Sequence, residues 1–300
     1  MVQSLVLKYE SKIDCLAPLY AEAFWKKGIK NAPIVVVMPG FSGNRTNIIE
    51  DAKRFAGKGL CTLTVDMRGR GASAGKPDCG AVEIHDINDA INCACLTLGS
   101  TVNQNRCSIV GYSGGGGNVL SAITKFPDRF QVAVSFFGIS DYGFWYSSKA
   151  LPYANKSMDD WVGGPPDLYP GRYQARNSVF AAGNCLNTKV YLFWDEEETA
   201  CPPVMNEMFA AAARQKGHKN ILCCKSCKGD AHRWKHGYTG DNPDFVFAED
   251  VFLDDMLNRQ VNLALPENGW LSVAGYVETM TFRHWIGNGQ DGAGEITYSI

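Results

Sequence analysis

The stretch Cys107-Ser108-Ile109-Val110-Gly111-Tyr112-Ser113-Gly114-Gly115 constrains this chain more than any other. Its first four residues suit a short buried strand, and beyond Gly114 the apolar residues Val119, Leu120, Ile123 and Phe126 keep helical spacing. Ser113 therefore stands at a sharp strand-to-helix turn. Such a turn tolerates only small residues two positions either side of its apex, and Gly111 and Gly115 occupy them.

The rest of the chain alternates strand and helix patterns around that turn. Val2, Leu5, Leu7 and Tyr9, then residues 16–24, predict an edge hairpin. Ile34 to Met38 is an uninterrupted β-branched run of the kind buried in parallel sheets, and it stops at Pro39-Gly40. The loop Phe41-Ser42-Gly43-Asn44-Arg45 follows, and Asn47 and Glu50 stand where they can cap a helix. After the strand Leu60–Val65, the glycine-rich segment Asp66–Ser73 opens no helix and no acid ends a following strand, so a dinucleotide site is not expected. Ile84, Ile87, Ile91, Cys95 and Leu98 keep helical spacing, which leaves Glu83, Asp86 and Asp89, with His85 among them, as an expected solvated face. Further strands are expected at Val132–Phe137, Lys189–Trp194 and Asn220–Cys224, with helices at Met205–Gln215 and Pro243–Leu257. The pattern is α/β: a mostly parallel central sheet flanked by helices over residues 1–260, with a cap-like insertion at about 139–187. Residues 261–300, apolar runs broken by glycine, predict a small β-rich extension.

Composition narrows the function classes. With 300 residues, 45% of them hydrophobic, the chain can bury a sizeable core. A net charge of −2 without a basic or acidic block argues against nucleic acid or an anionic membrane as partner. No segment has about 18 uninterrupted apolar residues and residues 1–10 do not read as an export signal, so a soluble, cytoplasmic location is expected. Eleven cysteines, several inside apolar patterns, fit free thiols better than a disulfide framework. The Cys224-x-x-Cys227 pair lacks a partner pair, so no metal is expected.

Gly111-Tyr112-Ser113-Gly114-Gly115 resembles the G-x-S-x-G nucleophile elbow of the α/β-hydrolase fold, a resemblance that spans residues 30 to 260. The wording around it, with Trp161-Val162-Gly163-Gly164-Pro165 to Ser178, is most similar to the prolyl oligopeptidase and acetyl-xylan-esterase branch. The resemblance implies Ser113 as nucleophile, Phe41 and Gly114 as backbone donors of an oxyanion hole, and an acid and a histidine later in the chain. Laid on the family pattern of an acid four residues before a proline, Pro202 marks Glu198, with Asp195 directly off the strand as runner-up. His232 falls in the loop where the family places its base; His236 competes, His218 is expected on the surface, and His284 lies beyond the fold's usual end. Tyr112, Tyr142, Trp145, Tyr146 and Trp161 are candidate pocket walls.

The activity implied is acyl transfer without metal or cofactor, on the ester of a small molecule or a polymer. Oligopeptidases of this type carry a large N-terminal domain, and about thirty residues precede the first core strand, which favours an ester over a peptide. A small peptidase is the first alternative and a non-catalytic binding protein the second. Residues 261–300 are also a candidate surface for self-association.

Overall fold

The computed structural model describes residues 1–237 and 242–300. The hairpin opens the chain, β1 (Val2–Tyr9) pairing antiparallel with β2 (Leu19–Lys26). There follow β3 (Ala32–Met38), α1 (Ile49–Gly57), β4 (Cys61–Asp66), α2 (Glu83–Leu98), β5 (Val102–Tyr112), α3 (Gly114–Lys125) and β6 (Phe130–Phe136). The insertion contains three short helices, α4 (Tyr142–Ser148), α5 (Pro152–Val162) and α6 (Pro170–Gln174). The body closes with β7 (Lys189–Asp195), α7 (Val204–Gln215), β8 (Ile221–Ser226) and α8 (Pro243–Asn258).

The eight strands run β1-β2-β4-β3-β5-β6-β7-β8, parallel from β4 to β8, with the β1–β2 hairpin added antiparallel at one edge. Because side chains alternate along a strand, β3 feeds two cores. Ile34, Val36 and Met38 join α2, α3 and α7 on one face, and Val35 and Val37 join Phe55 of α1 and Phe245, Phe252 and Met256 of α8 on the other. Each such side chain contributes about 1.5–3 kcal/mol when buried, so the sheet's centre is rigid. The chain winds one way from β3 to β4 and the other way from β3 to β5. The crevice where ligands bind in such sheets therefore lies beyond the C-terminal ends of β3 and β5.

Residues 268–299 form a second, four-stranded antiparallel sheet of β9 (Asn268–Ala274), β10 (Tyr276–Glu278), β11 (Arg283–Trp285) and β12 (Ala293–Ser299), in the order β11-β10-β9-β12. It sits against α2 and α3, and this corrects the reading of α2. Glu83, His85, Asp86 and Asp89 are buried, not solvated. His85 bridges Asp89 and Glu278 at 3.0 Å each, its ring against Phe126, Tyr276 and Trp285. Asp86 takes a two-pronged contact from Arg68, at 2.9 and 2.7 Å, and Glu83 takes Arg70 at 3.0 Å. The buried Lys125 ammonium donates to the carbonyls of Ala175 and Ala274 and lies over the Tyr276 ring. Each of these buried groups has a partner, which offsets part of the cost of its burial.

Two smaller expectations also change. The cap before α1 is Asn44, whose side chain accepts from Thr46 N–H while Asn47 answers it in a capping box around the short 3-10 turn Arg45–Ile48. His218 is buried, its Nδ1 accepting from Asn220 N–H at 3.0 Å. All eleven cysteines are free, although Cys93 and Cys95 are only half-buried. No helix among the described residues is long and apolar enough to cross a membrane.

Candidate active site

Ser113 stands between β5 and α3 with φ 58° and ψ −121°, a conformation that costs a residue with a side chain about 1–3 kcal/mol. Surrounding contacts hold it there. Ser113 N–H donates to Phe136 O at 2.9 Å, and a side chain on Gly111 would strike the Gly115 carbonyl while one on Gly115 would strike Pro39 and Met38. Ser42 and Phe137 also have positive φ, 61° and 39°. Three strained residues thus gather at the C-terminal ends of β3, β5 and β6, the crevice the topology marks out.

Two backbone donors flank the serine. Gly114 begins α3, so its N–H has no intrahelical acceptor. The Phe41 nitrogen comes within 2.7 Å of where a Gly114 Cβ would stand, so the two N–H groups adjoin. Among the described residues Phe41 N–H donates to no backbone acceptor. The Phe41 ring is fixed between Trp145, edge-on at 5.2 Å, and Trp161 at 5.0 Å, and the Arg70 guanidinium lies 5.2 Å from the Trp161 ring.

Beyond β7 the acidic loop divides by role. Asp195 is taken up structurally, receiving Arg233 at 2.5 and 2.7 Å and Ser226 Oγ at 2.7 Å. Burial works against its charge, but those donors hold its pKa below the ordinary carboxylate value. Glu198 turns inward: Oε1 accepts from Ala200 and Cys201 N–H, and His236 Nδ1 lies 3.2 Å from Oε2. The His236 contact has ion-pair distance without hydrogen-bond alignment, a geometry that substrate binding commonly tightens. Burial raises the Glu198 pKa, yet His236 and the two N–H groups outweigh it and the carboxyl stays low. The His236 ring rests on Phe137, centroids 4.6 Å apart, and a cleft of about 220 Å³ opens beside it, lined also by Thr199 and Lys235.

His232, the histidine expected as base, is elsewhere. Its Nδ1 lies 3.0 Å from Asp244 Oδ1 in the first turn of α8 and its ring stacks on Phe247 at 4.0 Å. The structure brings His236, not His232, to Glu198. In the loop after β8 it is thus the histidine four residues beyond the one the family pattern marks that lies against Glu198.

The aromatic candidates separate likewise. Tyr112 is buried between Phe136 and Phe245, and Tyr142 is buried in the same core. Trp145 is also buried, and its indole N–H donates to Ala200 O at 2.8 Å, bracing the acid loop and Phe41 together. Tyr146 bonds Asp159 at 2.8 Å and Trp161 is half-buried beside Phe41. Two residues carry no sequence signal. Cys201, directly before Pro202, sets its thiol 3.7 Å from Ser113 Oγ, and burial pushes that thiol's pKa up to about 12, so it stays protonated. Phe137 lies against the His236 ring. No cluster of three or more metal-ligating side chains occurs among the described residues.

The profile of the prolyl oligopeptidase family matches residues 48–258. The chain is 30% identical over 95 residues to cutinase 1 of Thermobifida cellulosilytica, 31% of this chain and 35% of that one, and a cutinase of Thermobifida fusca matches at the same identity over 31% of its length. The aligned stretch thus spans about a third of these curated relatives. Among solved structures, the acylaminoacyl peptidase of Pyrococcus horikoshii superposes with TM-score 0.68 at 21% identity, covering 88% of this chain and 42% of the other. An esterase of Pyrococcus furiosus gives TM-score 0.59 at 13% identity, covering 85% and 90%. At these identities the superpositions show the α/β-hydrolase fold, and the family match covers most of the chain. The chain belongs to the prolyl oligopeptidase family of α/β-hydrolase-fold serine hydrolases.

Proposed function

We propose that the protein hydrolyses carboxylic esters through a Ser113–His236–Glu198 triad. The observation that carries this reading is the pairing of Glu198 with His236 over Phe137, beside the strained turn that presents Ser113. A serine hydroxyl is a poor nucleophile near neutral pH and needs such a base and orienting acid. Ser113 Oγ attacks the ester carbonyl carbon as His236 takes its proton. Glu198, kept ionised by its low pKa, holds the ring and stabilises the imidazolium. The tetrahedral oxyanion accepts from the Phe41 and Gly114 N–H groups, each such donor contributing about 10²–10³ in rate. Collapse breaks the C–O bond, the alcohol leaves with the proton from His236, and water, deprotonated by His236, releases the acyl group and restores Ser113.

The cutinase relatives support an ester over an amide, and the acylaminoacyl peptidase neighbour keeps a peptidase as the second reading. No metal or organic cofactor takes part in this mechanism. The eleven free thiols support a reducing, cytoplasmic setting. An organophosphonate that labels Ser113, together with turnover of p-nitrophenyl acetate exceeding that of an aminoacyl p-nitroanilide, supports the esterase. Labelling with the opposite preference supports the peptidase, and a folded wild type that does not label overturns the enzyme. Ser113→Ala is expected to lower kcat by about 10,000-fold or more.

A further inference from the structure

The second sheet does more than cover α2: its 287–292 loop reaches the cap beside the candidate active site. Gly292 N–H donates to Gly171 O at 2.8 Å, and the buried Arg176 guanidinium donates to Gln290 O at 3.0 Å and Arg172 O at 2.6 Å. Between this loop, α5 and α6 lies a cleft of about 270 Å³, bordered by Asp160, Trp161, Arg172, Asn288, Gln290 and Asp291. Trp161 links this cleft to the site, because the same ring packs on Phe41, whose N–H adjoins Gly114.

We propose that this cleft is a substrate subsite, built jointly by the cap and the C-terminal sheet, that binds a neutral, hydroxyl-rich alcohol portion of the ester. The inference rests on the ester-hydrolase reading of the adjoining site. The lining mixes acceptors, the Asp160 and Asp291 carboxylates, with groups that donate, the Asn288 and Gln290 amides and Arg172. Among the described residues no hydrogen bond engages the Gln290 side-chain amide or either carboxylate, so all three are open to a ligand. An alkyl chain would desolvate these groups without replacing their bonds. Two carboxylates repel an anion, and Arg172, anchored to Val162 O at 2.6 Å and lying over Tyr169, offsets their pull on a cation. Hydroxyl groups, each donor and acceptor, answer both kinds of lining group.

Two matched esters test this, 6-O-acetylglucose and cyclohexylmethyl acetate, with Gln290→Ala and Asp160→Ala removing one group from each wall. The ratio of kcat/KM for the sugar ester over the cyclohexyl ester is expected to fall five- to tenfold in each variant, the size of one lost hydrogen bond. Calorimetry on the Ser113→Ala protein reads the subsite without turnover, and 6-O-acetylglucose is expected to bind there five- to tenfold more weakly when either wall residue is also changed. Absence of binding to Ser113→Ala, or a ratio and affinity that neither variant moves, overturns the subsite. Binding that weakens as stated, in a protein whose wild type cleaves no ester, keeps the subsite and overturns the proposed activity instead.

Discussion

At the scale of single residues, the acidic loop shows how geometry sorts chemically similar groups. Asp195 and Glu198 are three residues apart, and both carboxyls are held below their ordinary pKa, but by different partners. Arg233 and Ser226 occupy Asp195, whereas backbone N–H groups and His236 occupy Glu198. Glu198→Gln is therefore expected to cut kcat by about 10²–10⁴, within the range for an orienting acid. Asp195→Asn, in contrast, is expected to lower Tm while kcat/KM stays within about threefold. A kinetic comparison of the two, with melting curves, checks this, and a larger kcat loss in Asp195→Asn would reverse the roles. The proposed acid, Glu198, is the one that its offset to Pro202 marks. The proposed histidine is not the one the family pattern marks, since His232 and His236 share one loop and differ only in contacts with Asp244, Phe247 and Phe137, all remote in sequence from a motif.

At the scale of elements, periodicity located strands and helices well and misjudged what covers them. The Ile34–Met38 run and the glycine-flanked serine became β3 and the β5–α3 elbow, because continuous apolar runs and small residues answer to local backbone rules. The acidic side of α2 reads as solvent-facing from spacing alone, but β10 and the Arg68 and Arg70 side chains bury it, and such long-range cover leaves no periodic trace. His85 gives that cover a measurable signature. Burial lowers its pKa, but Asp89 and Glu278 more than compensate and raise it to about 9. A base whose folded pKa exceeds its unfolded value, about 6.5, stabilises fully below that value and loses the contribution as pH rises to about 9. The loss is roughly 3 kcal/mol. Lys125, lowered by burial to about 7, favours the folded state increasingly above that pH and so runs the other way. The His85 contribution is thus the difference between wild type and His85→Gln in urea unfolding from pH 6.5 to 9. That difference is expected to shrink across the window, and a constant difference would assign His85 a purely packing role.

At the scale of the whole molecule, one topological fact organises the rest. The sheet reverses its winding at β3 and β5, and there three of the seven non-glycine residues with positive φ among the described residues, Ser42, Ser113 and Phe137, come together. A rigid two-sided core holds those residues in place, the cap fixes Phe41 through Trp145 and Trp161, and the C-terminal sheet buttresses both α2 and the cap. The central claim is that this frame presents Ser113 to a His236–Glu198 pair. Its most direct test is kcat/KM for p-nitrophenyl butyrate in His236→Ala and His232→Ala, each confirmed folded by its melting curve. The account predicts a fall of about 1,000-fold or more for His236→Ala and less than about fivefold for His232→Ala. The reverse ranking, or near-wild-type activity in His236→Ala, would contradict it.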